Sequence, residues 1–267
     1  CNPAIGGLAK GQLVREIDAL GGVMAHLTDA CGIHFRTLAG GKGPAVWSPR
    51  AQCDKAAYHR WTKHCIENLA GVWPVQAEAQ ELCTGADGAI RGVLLKDGRQ
   101  LQSSRVVLTT GTFLRALMHQ GRAQTDGGRA GDHSAVGMSG CLQGLGLRLV
   151  RLKTGTPPRV LRRSIAFEHC EEQAGDEPAQ AFAFEPRTSV RNQVVCWTTW
   201  TSPAAHQVIH ANLDRAPMYN GQIDSIGPRY CPSIEDKVVR FADRERHHLF
   251  LEPEGIDTEE VYVNGLS

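Results

Sequence analysis

Arg105-Val106-Val107-Leu108-Thr109-Thr110-Gly111-Thr112 is the stretch on which the fold reading turns. A short run dominated by β-branched and apolar residues and closed by glycine reads as a buried strand. At its end, Gly111 would let the backbone approach a ligand closely at the carboxyl edge of a parallel sheet. Upstream, Ala89 to Leu95, the Lys96-Asp97-Gly98 turn and the residues after it read as a hairpin. A hairpin followed by a buried strand and a glycine turn, set among helical stretches, reads as an α/β protein.

Working outward, Leu13, Ile17 and Leu20 fall on one face of an expected helix between Gly7 and Leu20, which Gly21-Gly22 ends. A second helix is expected from about Arg50 to Asn68, and a short strand around Val72 to Val75. From Pro158 to Gly227 the texture changes. Cys170 to Gln180 is acidic and polar, Ala174 to Ala179 reads as a solvated loop, and Gln193 to Thr199 reads as a strand. This stretch is expected to be a smaller inserted domain.

Composition narrows the function classes. The 267 residues are 42% hydrophobic and 21% charged, and no uninterrupted apolar run is long enough to cross a bilayer. Formal net charge is +1, so any nucleic-acid contact must come from a local patch such as Arg159, Arg162 and Arg163, which reads equally well as a solvated turn. The nine cysteines are odd in number and contain no Cys-x-x-Cys pair. A reducing setting fits this better than a disulfide scaffold, and neither a zinc site nor a dithiol motif is supported. His26, His34 and His247-His248 lack metal-ligand spacing, so no metal site is expected.

Two cysteines stand apart. Cys1 opens Cys1-Asn2-Pro3-Ala4-Ile5-Gly6-Gly7, and Cys231 lies in Gly227-Pro228-Arg229-Tyr230-Cys231-Pro232-Ser233-Ile234-Glu235-Asp236-Lys237. The second segment reads as a helix start, with Pro232 in the first turn, Ser233, Glu235 and Asp236 near the N-terminus, and Val238, Val239 and Phe241 behind them. A thiol at such a position has its thiolate favoured, which makes Cys231 a nucleophile candidate; most of the other cysteines read as buried structural thiols.

With these two segments stand Lys42-Gly43-Pro44-Ala45-Val46, Arg50-Ala51-Gln52, Thr110-Gly111-Thr112-Phe113-Leu114, Gly128-Arg129-Ala130-Gly131, Arg151 to Arg159, and Phe250-Leu251-Glu252-Pro253-Glu254-Gly255. In this order they closely resemble the GidA, or MnmG, family of tRNA uridine 5-carboxymethylaminomethyl modification enzymes, over essentially the whole chain. The resemblance implies a Rossmann-like FAD-binding domain of the two-dinucleotide flavoprotein type, with an inserted smaller α+β nicotinamide-binding domain. The corresponding boundaries are 1–157 for the FAD-binding part, 158–227 for the NADH-associated insert and 228–267 for the return to the first domain. Family members carry a strand, glycine-rich turn and helix before the position of Cys1 and a long portion after that of Ser267, which implies a truncated sequence.

The resemblance further implies a substrate, the wobble uridine of certain tRNAs, and a GTPase partner, MnmE. FAD and NADH would be cofactors and methylenetetrahydrofolate the one-carbon donor. A homodimer joining MnmE in a heterotetramer is implied, in the cytoplasm or, for a eukaryotic source, the mitochondrial matrix. A pyrimidine is a poor carbon nucleophile until something adds to the adjacent ring carbon, and a thiolate is a suitable adding group. By match to the family motifs Cys231 would be the covalent nucleophile and Cys1 a second active-site thiol or acid, with the division between them open. Cofactor contacts carried over in the same way are Ala79, Gly111 and Ser134, and the stretch containing Gly227, Pro228, Arg229, Tyr230, Glu235, Asp236 and Lys237. Glu235, Asp236 and Lys237 read equally well as helix-end charge compensation, and Lys42 as a cleft residue or a solvated one.

Ala116, Ala205 and Trp200 depart from the family pattern. A disulfide reductase is the main rival, but its usual Cys-x-x-x-x-Cys is missing, and Cys53 and Cys65 are spaced wrongly. A folate- and flavin-dependent tRNA methyltransferase of related fold lacks the two cysteine motifs. A third alternative is a fragment without flavin binding of its own.

Overall fold

The computed structural model describes residues 2–223 and 233–267. The elements in chain order are β1 (Ala4–Gly6), α1 (Gly11–Ala19), α2 (Met24–Cys31), β2 (Gly32–Leu38), β3 (Ser48–Cys53), α3 (Lys55–Glu67), β4 (Ala79–Thr84), β5 (Ile90–Leu95), β6 (Gln100–Gln102), β7 (Leu117–Gln120), β8 (Ala123–Asp126), α4 (Gly137–Gly144), β9 (Arg159–Leu161), β10 (Glu171–Gln173), β11 (Cys196–Trp200), α5 (Pro203–His210), α6 (Ile234–Arg240), β12 (His248–Pro253) and β13 (Glu260–Asn264). The chain is a mixed α/β protein divided into two compact units, 1–73 with 154–210 and 229–267, and 74–153 with 211–228.

The first unit holds a three-stranded sheet, β1-β3-β2, and a five-stranded sheet, β10-β11-β12-β13-β9, with every neighbouring pair antiparallel. Strands from 158–227 therefore share one sheet with strands from 228–267. Phe35, Ala51, Cys53, Val14, Ala25 and Phe182 form one apolar core, and Leu249, Leu251, Val261 and Val263 a second. Asp54 joins the elements. Its Oδ1 accepts from Ala57 N at 2.7 Å, capping α3, and its Oδ2 accepts from Ile256 N at 2.9 Å.

Helix α1 forms where expected but turns a different face inward. Leu13, Ile17 and Leu20 are exposed, and the side chains used are Val14, buried, with Arg15 and Asp18. Arg15 Nη2 donates to Ala181 O at 3.0 Å, and Phe184 N donates to Asp18 Oδ2 at 2.7 Å. The stripe at 11, 14, 15 and 18 is as regular as the apolar one, and hydrogen bonds to the 181–184 segment select it. The same segment is tied to α2, where both Asp29 oxygens accept, from Phe182 N and Ala183 N.

The expected helix from Arg50 starts later, at Lys55, because Ser48–Cys53 is the central strand between β1 and β2. Val72 to Val75 forms no strand and is exposed.

In the second unit the expected hairpin is present as β5 and β6, with Leu95 N donating to Arg99 O at 2.8 Å; β4 completes a three-stranded antiparallel sheet. Helix α4 packs on β4, where Leu82 N donates to Cys141 Sγ at 3.2 Å. Arg105–Thr110 is a correction to the sequence reading. It forms no strand, pairs with none of the described strands, and leaves Val107 87% exposed.

Candidate active site

Three separated motifs of the first unit meet in one buried polar cluster. Arg50 and Gln52 alternate along β3 and so share a face, as do Glu252 and Glu254 along and just beyond β12. Arg50 Nη2 donates to Glu252 Oε1 at 2.6 Å, and Asn2 Nδ2 donates to Glu252 Oε2 at 2.6 Å. Gln52 Nε2 uses both hydrogens, to Asn2 Oδ1 at 3.0 Å and Pro253 O at 2.9 Å, while Gln52 Oε1 accepts from Arg50 at 3.3 Å. Gln52, Glu252 and Glu254 are buried. Charge-assisted bonds of this length satisfy groups that would otherwise be costly to bury.

Two residues beyond Glu252, Glu254 accepts from Lys55 Nζ at 2.7 Å and Arg159 Nε at 2.8 Å. Burial by itself would raise its carboxyl, but the bonds and charges of Lys55 and Arg159 outweigh it and hold the group below the usual range. The Arg159 guanidinium also lies over the Tyr262 ring, 4.8 Å from its centre.

The buried thiols are inert by comparison. Burial pushes Cys31 up to about 11 and Cys196 up to about 12, with the Glu252 charge adding to the second, and burial also raises Cys53. His34, fully buried on β2, donates from Nε2 to Gln173 O at 3.0 Å, and its Nδ1 has no hydrogen-bond partner among the described residues. Burial, with the charges of Arg50 and Arg36, lowers its pKa and keeps it neutral. The unfolded chain therefore takes up a proton below the ordinary histidine value, about 6.5, that the folded chain refuses. Folding stability is expected to fall as pH drops through that value, with His247 and His248, also lowered by burial, adding to the slope. Urea titrations of the chain and its His34→Gln variant across this range check it; the variant's profile should be flatter.

Of the residues expected in the site, Cys1, Gly227, Pro228, Arg229, Tyr230 and Cys231 lie outside the described residues. Asn2, next to Cys1, is held in the cluster above. The helix expected near Cys231 is present as α6, beginning at Ile234, with Ser233 as its cap: Ser233 Oγ accepts from Asp236 N at 3.2 Å. Glu235, Asp236 and Lys237 occupy its first turns; Asp236 is buried, and Lys237 Nζ donates to Gly265 O at 2.8 Å.

Ala79, Gly111 and Ser134 fall in the second unit. Gly111 sits in a turn with φ +56°, and Thr112 Oγ1 donates to Gly128 O at 2.9 Å. Ala135, after Ser134, donates its N–H to Phe113 O and accepts from Arg115 N, so the turn and the Ser134 segment run side by side. Ala79 opens β4, and the start of α4 packs against its neighbour Gln80. Arg50-Ala51-Gln52 and Leu251 to Glu254 stand out as motifs in the sequence, but nothing in the chain order pairs Asn2, Arg50, Gln52 and Glu252. Charged or amide residues two apart within otherwise apolar strands were the available signal.

A mixed α/β chain with a buried polar cluster in one unit, and in the other a glycine turn bridged to the segment after Ser134, fits the flavoprotein-like class. The chain belongs to the GidA family: the family model described as Glucose inhibited division protein A matches residues 1–267. Among curated proteins it is 53% identical over 268 residues to the tRNA uridine 5-carboxymethylaminomethyl modification enzyme MnmG of Protochlamydia amoebophila, covering all of this chain and 43% of that protein. It is likewise 53% identical to the protein of that name from Rhodopirellula baltica, covering 42% of it. The chain thus spans less than half the length of these relatives. The solved structure of Aquifex aeolicus GidA in its form I crystal superposes with a TM-score of 0.92 at 45% identity, covering all of this chain and 45% of that one. Among the described residues no helix is long and apolar enough to cross a membrane.

Proposed function

We propose that this chain serves in tRNA wobble-uridine modification, installing a carboxymethylaminomethyl or aminomethyl group at the five-position of the base. The observation that carries the reading is family identity along all 267 residues, with relatives at 53% named for that reaction. In this reading Cys231 is the thiol that adds to the uridine ring and Cys1 is a second active-site thiol or acid. Methylenetetrahydrofolate would donate the carbon, MnmE would be the GTPase partner of a homodimer, and the setting would be cytoplasmic.

A Cβ on Gly128 would stand 2.5 Å from Thr112 O, so a bare backbone is required where the glycine turn meets the Gly128 loop. Gly111, Ser134 and Ala79 are the residues we assign to FAD. The segment from Gly227 through Lys237, including Glu235 and Asp236, is assigned to dinucleotide binding, and the insert 158–227 to NADH. Bound FAD supplies the redox chemistry, with reducing equivalents from NADH. The protein's own residues orient the uridine and present the thiols.

The test is complementation of cells lacking their own enzyme, using the full-length gene with and without Cys231→Ser and mass spectrometry of wobble uridines. The unmutated gene is expected to restore the modified nucleoside and the variant to abolish it with FAD retained. Normal modification by the variant moves the nucleophile to Cys1. Failure of the unmutated gene overturns the reading and returns a generic FAD/NAD oxidoreductase, or a chain without flavin binding of its own.

A further inference from the structure

We propose that a row of stacked side chains on the five-stranded sheet, Arg246, Trp200, His248 and Phe250, is a platform for an unpaired base of RNA; the inference rests on the reading of tRNA as the substrate. Trp200 pairs with His248 and Thr198 with Phe250 in the β11–β12 ladder, so Trp200, His248 and Phe250 stand on one face of the sheet. Leu249 and Leu251 alternate with them and point the other way, into the second core. The row is continuous. The Trp200 and His248 rings stack 4.4 Å apart at 18°, His248 and Phe250 lie 4.4 Å apart at 47°, and the Arg246 guanidinium sits over Trp200, 4.7 Å from its centre. Burial lowers the His248 pKa, so a neutral ring continues the stack.

Core packing does not account for the outer half of this row. Trp200 is 41% exposed, Arg246 is exposed, and neither belongs to either apolar core. Among the described residues the Arg246 guanidinium has no hydrogen bond or ion pair, and the Trp200 indole N–H has no hydrogen bond. A guanidinium laid on an indole presents a second flat face outward and N–H donors around its edge. One nucleotide answers both, its base by stacking and its phosphate by accepting from the N–H groups. The exposed stretch 240–246 carries Arg240, Arg244 and Arg246 against Asp243 and Glu245, so the charge beside the row suits a phosphate. Glu171, across from Thr198 on the same face, bounds the row on its acidic side.

The experiment measures binding of a fluorescently labelled, unstructured oligouridylate to the full-length protein by anisotropy across a salt series. Unmutated protein, Trp200→Ala, Trp200→Tyr and Arg246→Gln are compared, with circular dichroism reporting folding. Trp200→Ala is expected to weaken binding about fivefold or more at an unchanged salt slope, since a stacking contact is lost and no charge is. Trp200→Tyr keeps a ring and should retain most of the affinity. Arg246→Gln should weaken binding and reduce the slope of log K against log salt by about 0.7, the value of one phosphate contact on a single strand. Ultraviolet crosslinking of the same complex, read by peptide mass spectrometry, should place the RNA on peptides containing Trp200 or Arg246. Unchanged affinity in folded Trp200→Ala, or crosslinks confined to other peptides, overturns the proposal.

Should Trp200→Ala fail to fold, Arg246→Gln decides, because it leaves the three-ring stack in place. Unchanged affinity and slope in that variant overturn the proposal, and a weaker, less salt-dependent complex supports it. The binding result does not depend on the complementation assay, so failure to restore the nucleoside strikes the proposed function alone.

Discussion

Replacing Glu254 by alanine is expected to destabilise the first unit by about 3 kcal/mol, the cost of breaking a buried ion pair by removing one partner. Glu254 is 2% exposed and bridges Lys55 at the start of α3 to Arg159 at the start of β9. Lys55 is half exposed and can return to water, but the side chain of Arg159 is only 26% exposed and keeps its place over Tyr262. Arg159 is therefore the charge that loses this carboxylate without returning to water. Because the folded carboxyl lies below its ordinary value, the bridge contributes fully above the unfolded carboxyl pKa, about 4.3, and is lost as pH falls through the lower folded value. Glu254→Gln should flatten the acid limb of a stability profile measured by urea unfolding, and an unflattened limb would assign that limb to other carboxylates. Arg159→Ala in the Glu254→Ala background should cost less than in the parent chain, since the two residues act through one contact.

Gly6→Ala is expected to cost about 3 kcal/mol or more, from a left-handed backbone and from overlap in a packed core. Gly6 ends β1 with φ +79°, a region that an alanine Cβ disfavours. The added Cβ would overlap Pro49 O and lie 2.7 Å from Phe182 Cζ. Neither neighbour gives way easily, because the Pro49 carbonyl already accepts from Gly7 N at 2.8 Å and Phe182 is 1% exposed. Thermal melting of the variant reads the loss. Gly43→Ala is the matched control, since it also has positive φ, +92°, but nothing within 4 Å of its added Cβ. A loss equal to that of Gly43→Ala would show that backbone strain alone operates at Gly6. Because Gly6 closes the segment that begins Cys1-Asn2-Pro3, the same variant should also disturb the cluster around Glu252.

Local features were legible in the sequence because local chemistry decides them. Ser233 caps α6, Gly98 turns the β5–β6 hairpin, and the helical periodicity after Gly7 yields α1, each through contacts within a few residues. The order of motifs likewise carried the family. Which stripe of α1 faces inward was settled by the 181–184 segment, more than 160 residues away. Arg50–Cys53 could begin a helix by pattern, but it pairs with β1 on one side and β2 on the other, and ladder bonds outweigh its local preference. Arg105–Thr110 has the composition of a buried strand and stays unpaired, since a strand exists only where a neighbour supplies the other half of its hydrogen bonds. The amino-acid order by itself determined caps, turns, helical periods and family membership, all short-range or linear properties. Only the tertiary structure decided that Asn2, Arg50, Gln52 and Glu252 share one set of hydrogen bonds, because burial makes each polar group depend on partners that chain distance does not reveal.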